Sequence, residues 1–313
     1  MLHRRLLLAA VGAALTANAQ IRLGIVGTDT SHVIAFTKIL NDPKNKDYVA
    51  GAKIVAAYKG GSRDLESSYS RVDKYAAELE KDWGIEIVPD IATLCSKVDG
   101  VLLESLDGRV HLAQMKEILK HRKTVFIDKP MASTYEDAKE IARLAKAANV
   151  AWFTASSLRW NEMTSTMKIP DATAAITWGP GPADPTHHLD LSWYAIHPIE
   201  LLYAFLGVGC VEVTRTVSES GDVIVGRWKD GRIGTVRTNR PYGAYGAVLF
   251  KKDGVLQSPP NPKTGYQNML GEIVKFFETK VPPVSNEESL EVFAFMDAAL
   301  KSKESGGKPV QLR

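Results

Sequence analysis

Ile21-Arg22-Leu23-Gly24-Ile25-Val26-Gly27, running on into Thr28-Asp29-Thr30-Ser31-His32, is the stretch whose reading decides the fold. A short, mostly aliphatic run has the length of a buried strand, and the glycine that ends it opens a turn into a helically spaced segment, His32 to Asn41. Backbone N–H groups at such a turn can hold a phosphate at the helix N-terminus. The alternation then repeats. AKIVAAY is followed by a helix across Ser67 to Asp82, then by GIEIV, VDGVLLES, a helix around His111 to His121, TVFIDKP, a helix from Tyr135 to Ala148, and VAWFTAS. Apolar runs separated by helices predict an α/β, doubly wound parallel sheet with its ligand crevice at the carboxyl ends of the strands.

After Arg159 the texture changes. ATAAITW, VEVTRTVSE, VIVGRWKDG, IGTVRTN and YGAVLFKKDG are short strands joined by Gly-containing turns such as Asp230-Gly231 and Asp253-Gly254. They predict a smaller α+β domain with a mostly antiparallel sheet. Two amphipathic helices follow, near Tyr266 to Lys280 and from Glu287 to Lys303, the second behind a Ser285 or Asn286 cap. The expected division is residues 20–157 for the nucleotide-binding domain and 158–313 for the substrate domain, although the final helices could pack back on the first.

Ahead of the first strand, His3, Arg4 and Arg5 precede the apolar run Leu6 to Leu15, and Ala17-Asn18-Ala19 offers the small residues a signal peptidase needs. Residues 1–19 read as a cleaved signal peptide, so the protein is expected to be exported, periplasmic or secreted. Arg4-Arg5 would suit the twin-arginine route. The apolar run falls short of the roughly 20 residues that cross a bilayer, and no membrane span is expected in the mature chain. Removing residues 1–19 takes two of 39 basic residues and none of 36 acids, leaving a formal charge of +1. So balanced a chain of 313 residues, 45% hydrophobic and without a dense basic stripe, argues for a globular protein with no nucleic-acid partner. Cys95 and Cys210 form neither a disulfide framework nor a zinc motif; both read as buried thiols, though export would permit a bridge between them.

The phosphate loop departs from the Rossmann-type Gly-x-Gly-x-x-Gly: counted from Gly27, Asp29 stands at the second glycine and His32 at the third. Two readings stay open. Asp29 can turn away and cap the helix while Thr28, Thr30 and Ser31 donate to a cofactor, or the segment is simply a capped turn. At the end of the second strand, Lys59, Ser62 and Arg63 offer cations and a hydroxyl where an acid would select NAD, which tilts the expected cofactor toward NADP over NAD; a solvated basic loop is the alternative.

Four further landmarks carry a family resemblance. Val125-Phe126-Ile127-Asp128-Lys129-Pro130 resembles the Glu-Lys-Pro signature of the Gfo/Idh/MocA oxidoreductases, relatives of glucose-fructose oxidoreductase and inositol dehydrogenase, with Asp128 for the glutamate. His111 matches the family's histidine between the fourth strand and this signature. Leu158-Arg159-Trp160 resembles its Arg-Arg-Phe segment, and Ile196-His197-Pro198-Ile199-Glu200-Leu201-Leu202 its His-x-x-Asp helix. The resemblance covers about residues 21 to 210. It implies a Rossmann fold, association into a homo-oligomer through an open sheet face, Lys129 at the nicotinamide and substrate, and His197 as acid or base on a carbinol. A base with a pKa near working pH and a cation for the forming alkoxide are what hydride removal needs. The aspartate that many members carry one helical turn before the histidine is Trp193 here; Asp190 or Tyr194 could stand in.

The resulting site has Lys129 and His197 as catalytic residues. Gly27, Thr28, Asp29, Thr30, Ser31, Lys59, Ser62, Arg63, Ser105, Asp128 and Lys129 are assigned to the cofactor, and Glu104, Asp107, Arg159, His188, Asp190 and Tyr194 to a small, carbohydrate-derived substrate. Glu104, Asp107 and Arg109 also allow an internal salt bridge, and Arg159 a structural pairing with Glu104 or Asp107. His187, His188, Asp190, His197 and Glu200 are dense enough to suggest zinc, but a polar substrate pocket explains them, and no metal is expected. Beside an oxidoreductase, a binding or sensing protein that has lost hydride transfer, or a lytic or hydrolytic enzyme holding a dinucleotide, fits the same scaffold.

Overall fold

The computed structural model describes residues 20–184 and 187–312, so the expected signal peptide lies outside the described residues. The first domain follows the order β1 (Ile21–Val26), α1 (His32–Asn41), β2 (Ala52–Tyr58), α2 (Glu66–Tyr69), α3 (Val72–Trp83), β3 (Glu86–Val88), α4 (Ile91–Lys97), β4 (Gly100–Leu103), α5 (Gly108–Lys120), β5 (Thr124–Ile127), α6 (Tyr135–Ala147) and β6 (Trp152–Thr154). The six strands are parallel, in the order β3-β2-β1-β4-β5-β6. Chain order reverses between β1 and β4, and that switch point fixes where a ligand crevice opens.

Every residue of β4, β5 and β6 is buried, because helices cover both faces of the sheet and leave no side for polar alternation. Asp90, Asp107 and Thr134 cap α4, α5 and α6 by accepting from Thr93, Arg109 and Asp137 N–H groups. The two-turn α4 was not anticipated from sequence: its seven residues are too few to establish a period.

A 3-10 turn at Ser157–Trp160 and α7 (Glu162–Met167) lead into the second domain. Its elements are β7 (Ala174–Pro180), α8 (Ile196–Leu206), β8 (Cys210–Ser218), β9 (Gly221–Trp228), β10 (Ile233–Asn239), β11 (Gly246–Lys251), β12 (Gly254–Gln257), α9 (Gln267–Thr279), α10 (Asn286–Glu304) and β13 (Val310–Gln311). The seven-stranded sheet, ordered β12-β11-β7-β10-β9-β8-β13, is antiparallel except where β7 and β10 run parallel.

The chain is not partitioned in space as it is in sequence. Helix α9 lies on the first sheet, burying Met269, Leu270, Ile273 and Phe276 with Leu23, Ile25 and Ile54 in one core. Each such side chain contributes about 1.5–3 kcal/mol. Gly100 records this contact: a Cβ there would sit 2.4 Å from the Phe277 ring, so only glycine lets α9 approach β4. Ser285 caps α10 by accepting from Glu288 N–H, as one of the two expected caps. Cys95 and Cys210 are buried, free thiols in different domains, not the bridge that export would permit.

Candidate active site

A cavity of about 340 Å³ opens at the carboxyl ends of the first sheet. Thr30, Ser31 and His32 reach it from the β1–α1 turn, Lys129 from the end of β5, and Tyr194 and His197 from the start of α8. Arg71, at the head of α3, completes the same wall. Tyr242, Tyr245 and Tyr266, from the loops before β11 and α9, form a second, aromatic wall.

His197 Nδ1 lies 2.7 Å from the Ser156 hydroxyl, which leaves Nε2 as the nitrogen for the cavity. Burial, and after it the Lys129 ammonium and His32, holds His197 well below the usual imidazole range, so the ring is neutral. Burial also lowers Lys129, while Asp128 and Glu104 oppose that shift and favour its charge. The ammonium stands 5.9 Å from the Tyr194 ring centroid, a cation–π contact that places the phenol beside it. A neutral base, a cation and a phenol thus share one chamber. Ser156 supplies the orientation that Trp193 cannot; it was overlooked because it sits 41 residues away from His197 in the chain.

Two of the carboxylates assigned to ligands, Asp29 and Asp107, are engaged elsewhere. Asp29 is fully buried and accepts from Ser68 Oγ at 2.6 Å and Leu106 N at 3.1 Å, so it does not cap α1. Burial raises it despite those bonds. Asp107 accepts from Ser62 Oγ at 2.5 Å and from Arg109, whose guanidinium also grips Asp64 through two bonds of 2.9 Å. These contacts form a bracket that ties the β2–α3 segment to the β4–α5 turn, and Ser62, Asp29 and Asp107 are used up in it. Arg109 pairing with Asp107 was the internal salt bridge weighed from sequence. Thr28 donates to Val72 O at 2.9 Å, and Lys59 pairs with Asp73 at 2.8 Å, while Arg63 stays exposed. Gly27, at φ 98°, packs so closely on the β4–α5 turn that a Cβ would meet Ser105 N at 2.4 Å. Ser105 itself is buried, its carbonyl 2.7 Å from His111 Nε2.

Of the six substrate assignments only Tyr194 lines the cavity; Asp107 is spent in the bracket, and the other four lie elsewhere. Arg159 is buried with Glu200 and Glu288, outside the cavity, and pairs with neither Glu104 nor Asp107. Asp190 binds Arg215 at 2.8 Å and Lys303 at 2.8 Å in the second domain. His188 is exposed away from the chamber. Glu104 is fully buried beneath the cavity and does not line it. The suspected zinc cluster also disperses, since His187 faces Asp107 and Asp184, Asp190 faces Arg215, His197 faces Ser156 and Glu200 faces Arg159. Sequence spacing put these residues close along the chain, and charge pairing across elements took each to a different place.

Residues 21–156 match the family described as an oxidoreductase family with an NAD-binding Rossmann fold, Gfo/Idh/MocA. The first domain is thus similar to the NAD-binding domain of that family. Solved structures extend the likeness over both domains of the chain. An oxidoreductase from Agrobacterium radiobacter in complex with NAD+, L-tartaric acid and magnesium is 16% identical, covers 94% of this chain and 99% of its own, and gives a TM-score of 0.72. A myo-inositol dehydrogenase from Lactobacillus casei in complex with NAD(H) and myo-inositol is 18% identical over 94% and 97%, with a TM-score of 0.71. The apo scyllo-inositol dehydrogenase of the same organism is 17% identical over 94% and 99%, also at 0.71. At these identities the likeness is one of fold. No curated protein matches the sequence.

The residues present fit the family's dinucleotide at its nicotinamide and phosphate portions. Ser31 heads α1 with no side-chain cap, but His32 N–H donates to Thr30 Oγ1 at 3.3 Å and Val33 N–H to Thr30 O at 3.4 Å, so an anion here would be held chiefly by the Ser31 and Arg71 side chains that line the cavity. Lys129, Tyr194 and His197 fit a nicotinamide with an alcohol beside it. Of the residues assigned to the adenosine end, Ser62 is already engaged in the bracket from Asp29 to Asp64. No helix among the described residues is long and apolar enough to cross a membrane.

Proposed function

We propose that the chain is an exported oxidoreductase that moves a hydride between NADP or NAD and a sugar, polyol or related carbohydrate derivative. The observation that carries this reading is the single chamber in which Lys129, His197, Tyr194 and the start of α1 meet. When bound, the dinucleotide supplies the hydride acceptor or donor. The remaining work belongs to the chain. Neutral His197, held by Ser156, takes the carbinol proton on Nε2 during oxidation and returns it during reduction. The Lys129 ammonium stabilises the negative charge that grows on the same oxygen, and Asp128 and Glu104 favour its charged form. Tyr194, Tyr242 and Tyr245 offer ring faces to C–H groups and hydroxyls to substrate oxygens. Arg63, exposed on the loop after β2, is in reach of solvent for a 2′-phosphate, whereas Lys59 is held by Asp73.

The export reading is drawn from residues 1–19, and sequencing the N-terminus of protein secreted from cells checks it; an intact Met1 would reject cleavage. Val223 and Ile233 are exposed on one face of the second sheet, which supports the homo-oligomer expected from the family; light scattering in solution checks that.

Titration with NADP and NAD, followed by nicotinamide fluorescence and by turnover of sugars and polyols, tests the main reading. Saturable binding and a change in nicotinamide absorbance on adding substrate are expected. The bracket favours a second reading, a sugar-binding or sensing protein on this scaffold without hydride transfer. Sugar binding with no response to either dinucleotide would select it.

A further inference from the structure

Beneath the cavity, three side chains from the turns after β1, β4 and β5 converge. A His32 ring nitrogen and one carboxylate oxygen each of Glu104 and Asp128 all lie within 4.8 Å of one another. His32 Nδ1 and Asp128 Oδ2 are 2.6 Å apart. Glu104 is fully buried, and neither of its oxygens meets a hydrogen-bond donor among the described residues. Buried carboxylates nearly always hold donors, because losing water without replacement is costly. The contrast within this molecule is direct: Asp29, Asp107 and Asp222, equally buried, each accept from two or more groups. Lys129 is close enough to act on Glu104 and Asp128 electrostatically but makes no hydrogen bond or ion pair with either.

We propose that His32, Glu104 and Asp128 are the seat of one divalent metal ion, of the borderline kind that takes one imidazole with two carboxylates, such as Mn²⁺, Fe²⁺ or Zn²⁺. Two carboxylates balance the ion's charge, and Glu104 gains the partner it lacks. The His32 ring is fixed by stacking on Phe36 at 5.3 Å and by the edge of Tyr266 at 4.9 Å, as a ligand's outer support requires. His32 and Lys129 also line the cavity, which puts the ion at its floor, where substrate oxygens can reach it. This departs from the metal-free site expected from sequence, and it does not depend on hydride transfer.

The competing occupant of the seat is a proton shared between Glu104 and Asp128. Full-length protein purified through a chelator and then titrated with Mn²⁺ separates the two. About one equivalent of Mn²⁺ per chain is expected, with a rise in melting temperature and a broadened electron paramagnetic resonance signal. Glu104→Gln keeps the shape, removes the charge and should weaken Mn²⁺ binding by more than about tenfold, with His32→Asn doing the same. Without metal, Glu104→Gln should melt no lower than wild type, which shows that it folds and that the carboxylate was not a structural ion pair. No Mn²⁺ or Zn²⁺ response in wild type, an undiminished response in both variants, or a lower metal-free melt for Glu104→Gln each overturns the proposal. Because these readouts are metal content and melting, their failure is separate from failure of the oxidoreductase reading, which nicotinamide titration reports.

Discussion

The two ends of the crevice hold similar numbers of acids and treat them differently. At the end next to the segment after β2, Asp29 and Asp107 are saturated by Ser68, Leu106 N–H, Ser62 and Arg109, so those charges close the structure and are spent. On the other side, Glu104 has no donor among the described residues and Asp128 faces one imidazole, next to a cavity. Satisfied buried acids act as fasteners, and unsatisfied ones mark where a ligand or proton is handled.

Lys129→Ala attacks the unsatisfied end and should lower turnover by at least about a hundredfold while leaving circular dichroism unchanged; turnover near the wild-type rate would remove Lys129 from the chemistry. Arg109→Ala attacks the fastened end. It leaves Asp107 buried without its guanidinium and should cost about 2 kcal/mol in urea unfolding, the solvent-exposed Asp64 contact adding little. A loss in turnover larger than the loss in stability would make the bracket part of the site. Ser156→Ala releases the His197 ring and should reduce kcat about tenfold with little change in KM.

pH distinguishes the two ends more gently. His197, His111 and His187 all have folded-state pKa values lowered by burial, so the unfolded chain binds more protons as acid is added. Stability from these groups is full above their unfolded value of about 6.5 and falls as pH drops below it. Melting temperatures at decreasing pH should show this, with a shallower fall in His197→Asn. The smallest effect is chemical: burial pushes Cys95 up to about 11 and Cys210 up to about 12, so neither thiol should react with Ellman's reagent in the native state at neutral pH.

The first sheet was legible because continuous aliphatic runs such as Val101-Leu102-Leu103 and Val125-Phe126-Ile127 leave no other reading once helical segments flank them. The placement of Lys129 was legible for the same reason, since the residue after a buried strand must emerge at its carboxyl end. His32 was visible as a letter but not as a partner of Asp128, which is 96 residues distant. Arg159 was misassigned because its partners Glu200 and Glu288 lie 41 and 129 residues away, on helices whose packing no local period encodes. The tyrosines at 242, 245 and 266 come from loops, where side-chain direction depends on the assembled second domain.

The seat of α9 on the first sheet sets an order of events in the cell. Gly100 waits for Phe277, so the early half of the polypeptide cannot finish its core while the ribosome is still building the later half. A nascent chain stopped near residue 160 would expose the surface meant for Ile273 and Phe276 and would invite chaperones or proteases. Maturation is therefore tied to completion of synthesis, and neither half is a dispensable module.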